Sequence, residues 1–543
     1  MRFLARHPFL AFTAVFAALA GVVFWGTWSM DFAPVMPDHP IVHSPYWISD
    51  WWRGWLLTGK FIPGDAIVFL GSPYFWQEIK YALAVYFAAL GVAYYCRGRG
   101  LSPLAGYGAG LLLAFCGYWL TLFSAGHWGW FQWMTYGTFA FGLADRAVRK
   151  DKLKNWLLLG TVVSWAGFNQ QDLWLLFSVF TAAYFIWCCI RERKLPWKGA
   201  LVALAAFAIV GLPNFKDVFQ NTIKGRQEQL AQAAESTGKK ASGADERWEF
   251  VTNWSMPPED TLEFIVPRIH GDTSCPFVQS LAIRYGRDVK PYAGALGRPL
   301  NAKQGNYRQH SLYVGWAVCL FALLGVIFAL MSLLKPANRT VGQSEQSKNS
   351  SDVLFFLVAA IVFYLLSLGR YFEPAYRLVF ALPAGDLIRC PVKWHHLTEF
   401  CLVILAAFGI ESLTSLLSRV SSLKSFAGPI VGALVLIGAV DLAWQAKRYC
   451  APVDLREARR QNCGLQMTFL RRADFNNPQV AAMVKAKRIV PLANPNPEMY
   501  LVGVLEPWKR NRDPMPPVGL PVVLGLVSIL ASVAVSAYAA KRS

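Results

Sequence analysis

Charge is scarce in this sequence. Asp, Glu, Lys and Arg together make up 16% of 543 residues, against 55% apolar and 15% aromatic residues, which excludes an ordinary soluble globular protein. No long polar domain precedes or follows the apolar runs, which recur from end to end and are long enough to cross about 30 Å of hydrocarbon. The ten cysteines contain no CxxC pair and no Cys/His spacing suited to zinc, so a zinc framework is excluded. No internal repeat is evident either, which weakens the inverted-repeat argument for a secondary transporter. Acidic residues are the scarcer sign, 33 against 53 basic, for a formal net charge of +20. The basic residues fall in small clusters between apolar runs instead of one face or tail, which argues against nucleic acid as a partner and for membrane orientation.

What is present is a series of about twelve apolar stretches. Spans are expected at roughly 8–28, 79–96, 101–123, 128–145, 155–168, 172–190, 199–213, 311–334, 353–369, 397–418, 426–445 and 519–540. The first follows Arg2 and Arg6 but is longer than a signal-peptide core, so it reads as a helix of the mature chain. The expected fold class is an all-α polytopic integral membrane protein with about twelve transmembrane helices, outer-face loops and a small mixed segment near the C-terminus. Lys and Arg gather in alternate loops, at Arg97 and Arg99, Arg146 to Lys154, Arg191 to Lys198, Lys335 to Lys348, Arg419 and Lys424, and Lys541 and Arg542. By the positive-inside rule those loops and both termini are cytoplasmic. The chain then divides into a transmembrane module over 1–213 with a first outer loop at 29–78, and an outer insert at 214–310. A second module follows at 311–445, then a small outer region at 446–518 and a final helix with its tail at 519–543. Short strands are expected at "RIVPLA" and "EMYLVGVL", and a polar helix at "KGRQEQLAQAAESTGKK".

Cys96, Cys116, Cys188, Cys189, Cys319 and Cys401 lie inside apolar runs and read as packing residues, whereas Cys450 and Cys463 are positioned for a disulfide if their segment is outside. The remaining polar residues concentrate at the outer helix ends, where clustering suggests a water-filled pocket. The first outer loop holds Asp31, Asp38 and Asp50, the last also suited to cap the helix at "WWRGWLL". His127 sits in "AGHWGW", and Asn169, Gln170, Gln171 and Asp172 precede or cap another span. Trp47, Trp51, Trp52, Trp55, Trp128, Trp130 and Trp133 suit an interfacial belt, with sugar stacking as the alternative. Arg370, Arg377, Arg389 and Lys393 are cations on the outer side, which calls for local acids (Glu373, Asp386, Glu399) or a phosphate.

Several stretches taken together resemble the YfhO-like family of bacterial membrane proteins, which are similar to GT-C glycosyltransferases. They are "TGKFIPGDAIVFLGSPYF", "SAGHWGW", "NWSMPPEDTLEFIVPRIHGDTS", "HSLYVGWAVCLFALLG" and "LSLGRYFEPAYRLVFALPAGDLIRCPVKW", in order from about 31 to 420. This chain departs from the family pattern at Gly64-Asp65, at Lys393 and in a short final outer domain. The resemblance implies a GT-C-like hexosyltransferase of the bacterial cytoplasmic membrane, taking sugar from a polyprenyl-phosphate donor to a cell-envelope or lipid acceptor outside. It implies an acid in the first outer loop as base, with Asp38 ranked above Asp50 and Asp31. Arg389 and Lys393, with Arg268 or Arg370 behind them, would meet the lipid phosphate. His127, Asn169 and Gln170 would help bind sugar, and Glu259 and Asp260 would orient it or hold a divalent metal such as Mg or Mn, although carboxylates after Pro-Pro equally start a helix. The competing classes are a flippase or transporter of a lipid-linked or anionic substrate, and a catalytically inert envelope-assembly protein.

Overall fold

The computed structural model describes residues 7–24, 32–34, 47–60, 73–117, 120, 122–123, 128–168, 171–218, 248, 251–252, 255–267, 269, 311–334, 341–382, 385, 388, 390–447, 452–454, 456, 460, 463–496, 499–507 and 514–541. In chain order the first half comprises α1 (Pro8–Phe24), β1 (Phe32–Pro34), α2 (Trp47–Thr58), α3 (Pro73–Gly98), α4 (Pro103–Ala114), α5 (Trp128–Lys150), α6 (Leu153–Trp165), α7 (Gln171–Glu192), α8 (Trp197–Val210) and α9 (Leu212–Asp217). The second comprises α10 (Trp316–Leu333), α11 (Val341–Ser367), α12 (Glu373–Ala381), α13 (His395–Arg419), α14 (Ala427–Ala446), β2 (Pro452–Asp454), β3 (Cys463–Arg471), α15 (Pro478–Lys485), β4 (Ile489–Asn496), β5 (Met499–Pro507) and α16 (Leu520–Lys541).

Each expected apolar stretch contains a helix. Seven helical segments among the described residues are long and apolar enough to cross a membrane, and α1, α4 and α8 are shorter apolar helices. The chain is therefore a helical membrane protein. The third stretch is interrupted: α4 starts cleanly, with Ser102 accepting the Ala105 N–H at 3.3 Å and Pro103 in its first turn, then stops at Ala114. The short fourth stretch is longer than its apolar core indicated, because α5 carries its pattern through Asp145 to Lys150.

Helix pairing relies on small residues that let backbones approach. A Cβ on Gly110 would lie 2.4 Å from the Ala89 carbonyl oxygen, and one on Gly409 would lie 1.8 Å from that of Phe321. Aromatics fill much of the interior. Phe141 has ring neighbours Phe180 and Phe400 at 4.8 Å and Tyr184 at 5.3 Å. All six cysteines read as packing residues lie in the apolar interior, five of them buried and Cys319 partly so.

The basic C-terminal ends of α3, α5 and α7 gather beside α11. There Arg99, just past α3, meets Asp145 of α5 at 3.2 Å and Asp352 of α11 at 2.8 Å. Arg191 of α7 bridges the same two acids, with Asp145 at 2.5 Å. Arg149 joins at 2.6 Å from Asp145, and Lys348 pairs with Glu192 at 2.7 Å. The side chains of Arg99, Asp145, Arg191 and Asp352 are buried almost completely. Four helices are thus cross-linked by one ionic knot.

At the opposite end, β1 pairs antiparallel with β2, tying the first loop to the region after α14. The strands β3, β5 and β4 form an antiparallel sheet in that order, and β4 and β5 cover the two stretches expected as strands. Register shifts after Pro491 and Ala493 fit a proline that cannot donate to the ladder. Asp50 is not an N-cap. The helix starts three residues earlier at Trp47, placing Asp50 within its first turn. Arg53 of α2 donates to the Pro514 carbonyl at 3.1 Å, and Gly59 packs against Pro521 at the start of α16. The expected polar helix after Lys224 and residue Cys450 lie outside the described residues, while Cys463 opens β3.

Candidate functional site

Three short 3-10 helices, Pro258–Phe264, Gly369–Phe372 and Pro391–Trp394, meet at the end opposite the ionic knot. Proline in the first turn sets the direction of the first and third. As expected for carboxylates after Pro257-Pro258, Glu259 and Asp260 lie in the first turn of the Pro258 helix.

These turns are fastened to each other by backbone. Met256 N–H donates to the Ser367 carbonyl at 2.9 Å, and Cys390 N–H to the Val251 carbonyl at 3.0 Å. Gly369 adopts φ +51°, and a Cβ there would lie 2.1 Å from Ser255 Oγ and 2.6 Å from Pro391. Only glycine fits that crevice. Cys390 adopts φ 65°, a conformation costly for a residue with a side chain, and it turns the chain into Pro391.

The head of α13 is unusually polar for the start of an apolar helix. Lys393, His395, His396, Thr398 and Glu399 are all buried. The Lys393 ammonium lies 5.6 Å from the centroid of Trp130, and the His396 ring meets the same indole at 4.5 Å, edge-on. His396 Nδ1 is 3.8 Å from Glu399 Oε2, and Glu399 lies beside the Cys116 thiol. His395 packs on Phe264 at 4.4 Å and against the Leu312 backbone.

Between these elements runs an extended strip, Ser311–Gly315. Its backbone is claimed from two sides. Leu312 N–H donates to Glu263 Oε2 at 3.4 Å and Gly315 N–H to the Phe264 carbonyl at 3.1 Å. In return the Tyr313 carbonyl accepts from Gly117 N–H at 2.9 Å, and the Val314 carbonyl accepts from the Cys116 thiol at 3.4 Å. The break after α4 is thereby explained, because the helix opens where its backbone finds partners in the strip. The Tyr313 hydroxyl donates to Asp441 of α14.

Of the residues expected to form a site, four with described side chains come to this end: Lys393, Glu259, Asp260 and Arg370. Arg370 is committed structurally, its Nε and one terminal nitrogen donating to the Thr252 carbonyl at 3.1 Å and hydroxyl at 3.2 Å. Burial raises the phenol of neighbouring Tyr371, which Arg370 opposes and Asp260 and Glu259 reinforce, so these four groups share one electrostatic environment. Arg377 finds the local partner anticipated for it, Glu373 at 3.0 Å, and stacks over Trp248 at 4.3 Å. Asp31, Asp38, His127, Asn169, Gln170, Arg268, Asp386 and Arg389 lie outside the described residues, as does the side chain of Asp50. No group of three or more His, Cys, Asp or Glu among the described residues is arranged to hold a metal ion, so Glu259 and Asp260 do not by themselves make a metal centre.

Two corrections follow from the packing. Trp130 and Trp133 are buried, not belt residues, because they point from α5 into the bundle against His396 and Phe177. The second concerns His395, His396 and Glu263, which were not singled out in the sequence. Adjacent histidines at the start of an apolar run were the available signal. The chain matches no protein-family model and no curated protein.

Proposed function

We propose that the protein is a GT-C-like membrane glycosyltransferase that moves a sugar from a polyprenyl-phosphate donor to a cell-envelope or lipid acceptor on the extracytoplasmic face of a bacterial cytoplasmic membrane. The observation that carries the reading is the buried polar head of α13, Lys393 to Glu399, backed by Glu263 and bordered by Glu259 and Asp260, at one end of an otherwise apolar bundle. The described parts of three family-like stretches, Ser255–Pro267, Ser311–Gly315 and the turns at Gly369–Phe372 and Pro391–Trp394, lie at this end and support the reading. The basic end carries the ionic knot, which the positive-inside rule assigns to the cytoplasm.

In this reading an acceptor hydroxyl loses its proton to a carboxylate, for which Asp38 is the candidate, as its oxygen bonds to the anomeric carbon. The bond from that carbon to the lipid phosphate breaks, and the phosphate leaves with the bonding pair. General-base assistance contributes about 10²–10⁴-fold. The Lys393 ammonium, held against an indole and shielded from bulk water, is suited to the charge growing on the departing phosphate. Glu259 and Asp260 would orient the sugar.

The test is incubation of purified protein with a panel of polyprenyl-phosphate sugars, with release of free lipid phosphate as the readout. Release must require Lys393 and Asp38. If no donor in the panel yields free lipid phosphate while the protein stays folded, the transferase reading falls.

A further inference from the structure

At the basic end, α10, α11 and α13 line an open cavity of about 450 Å³. Its origin is mechanical. The helices α10 and α13 touch backbone to backbone at Gly325 and Gly409, where a Cβ on Gly325 would lie 2.4 Å from the Leu405 carbonyl. Toward the basic end the described residues of α10 and α13 leave the cavity between them, with Phe328 and Phe408 in its wall. Its lining mixes hydroxyls, an amide and two opposite charges: Ser332, Asn349, Ser412, Ser415, Glu411 and Arg419. The rim is apolar and exposed, with Met331 at 53% and Leu416 at 43% accessibility, facing where acyl chains would run.

We infer that this cavity binds the headgroup of a zwitterionic aminophospholipid, its phosphate on Arg419 and its primary ammonium on Glu411. Glu411 and Arg419 stand eight residues apart on one face of α13, about 12 Å along the axis at roughly 1.5 Å per residue. Both side chains lean toward the helix N-terminus, so it is the greater length of the Arg419 side chain, reaching back over Ser415, that shortens that distance. A phosphate and an ammonium separated by two carbons span the remainder. Glu411 already accepts the Ser102 N–H at 2.8 Å through one oxygen, which fixes its carboxylate at the cavity wall. Asn349 is held in turn by Arg99, whose guanidinium donates to its Oδ1 at 2.7 Å. The cavity wall is therefore rigid, and it abuts the ionic knot. The inference is independent of the transferase reading, since it concerns the opposite end of the bundle.

Native mass spectrometry of the full-length protein in detergent, with dioleoyl-phosphatidylethanolamine, -phosphatidylcholine or -phosphatidylglycerol added, tests it. Phosphatidylethanolamine should be retained at least about tenfold better than phosphatidylcholine, whose quaternary ammonium donates no hydrogen bond. Glu411→Gln keeps an acceptor for Ser102 and should erase that preference. Arg419→Ala should lower retention of all three lipids about tenfold. Ser415→Trp, at an exposed position, should block the cavity without altering charge. Equal retention of the ethanolamine and choline lipids by the wild type would overturn the inference, as would full retention by Ser415→Trp. Soluble phosphoethanolamine competing as well as the lipid would overturn the assignment to a membrane headgroup.

Discussion

Asp352→Ala is expected to be among the most destabilising single changes in this protein. In the native bundle Asp352 takes Arg99 at 2.8 Å and also takes Arg191, with all three side chains almost wholly buried. Its removal leaves two buried guanidinium groups facing Asp145 as their shared acid. Breaking a buried pair from one side costs about 3–5 kcal/mol, a factor of roughly 10²–10³·⁵ in the folding equilibrium at about 1.4 kcal/mol per tenfold. Arg377→Ala is the control, because the Arg377–Glu373 pair is about half exposed on both sides and exposed pairs contribute about 0–1 kcal/mol. Removing Arg99 together with Asp352 (Arg99→Leu, Asp352→Leu) leaves Arg191 and Arg149 with Asp145, and Glu192 beside Arg191, and should cost less than the two single changes added. The assay is denaturant or thermal unfolding in detergent, with expression level as a second readout. If Asp352→Ala proved no worse than Arg377→Ala, or the double change cost the full sum, the knot would not be an electrostatically coupled unit.

Gly409→Leu should lower the unfolding temperature by several degrees or prevent accumulation, since its Cβ alone would meet the Phe321 carbonyl at 1.8 Å, while Gly428→Ala, with nothing within 4 Å, should be neutral. A cysteine at Leu262, which is 56% exposed, should react with an impermeant thiol reagent added outside cells, and one at Lys150 should not; reversed labelling would refute the orientation. Asp260 is a poor labelling position by comparison, being buried. Asp38→Asn and Lys393→Met should each reduce lipid-phosphate release by at least about a hundredfold with folding retained, and Arg53→Ala should leave it nearly unchanged; equal effects of Lys393→Met and Arg53→Ala would count against the phosphate site.

The helices were legible because an apolar run long enough to span a bilayer has few alternatives. The two strands after Lys487 were legible from β-branched residues between prolines and asparagines. The ionic knot was not. Arg99, Arg149 and Arg191 looked like ordinary cytoplasmic loop charges, and apart from the i,i+4 pair of Asp145 with Arg149 the partners of Asp145 and Asp352 are brought in from α3 and α7 only by the fold. The same holds for the candidate site. Lys393 was visible as a cation against the charge rule, but nothing local revealed that Trp130, more than 200 positions earlier, lies under it. Burial of Trp130 and Trp133 was illegible for a related reason: at a helix end, a tryptophan facing lipid headgroups and one facing the interior carry the same local pattern.

The strip from Ser311 to Gly315 also bears on how the chain is made. The Cys116 and Val314 groups that meet there are 198 residues apart, which a ribosome working at about 5–20 residues per second covers in roughly 10–40 s. For that interval the opened end of α4 is without the strip that accepts its Cys116 thiol and Gly117 N–H. The early helices are therefore expected to be held, by the insertion machinery or by one another, until the second module arrives. Chains truncated before residue 311 should be cleared by membrane proteases.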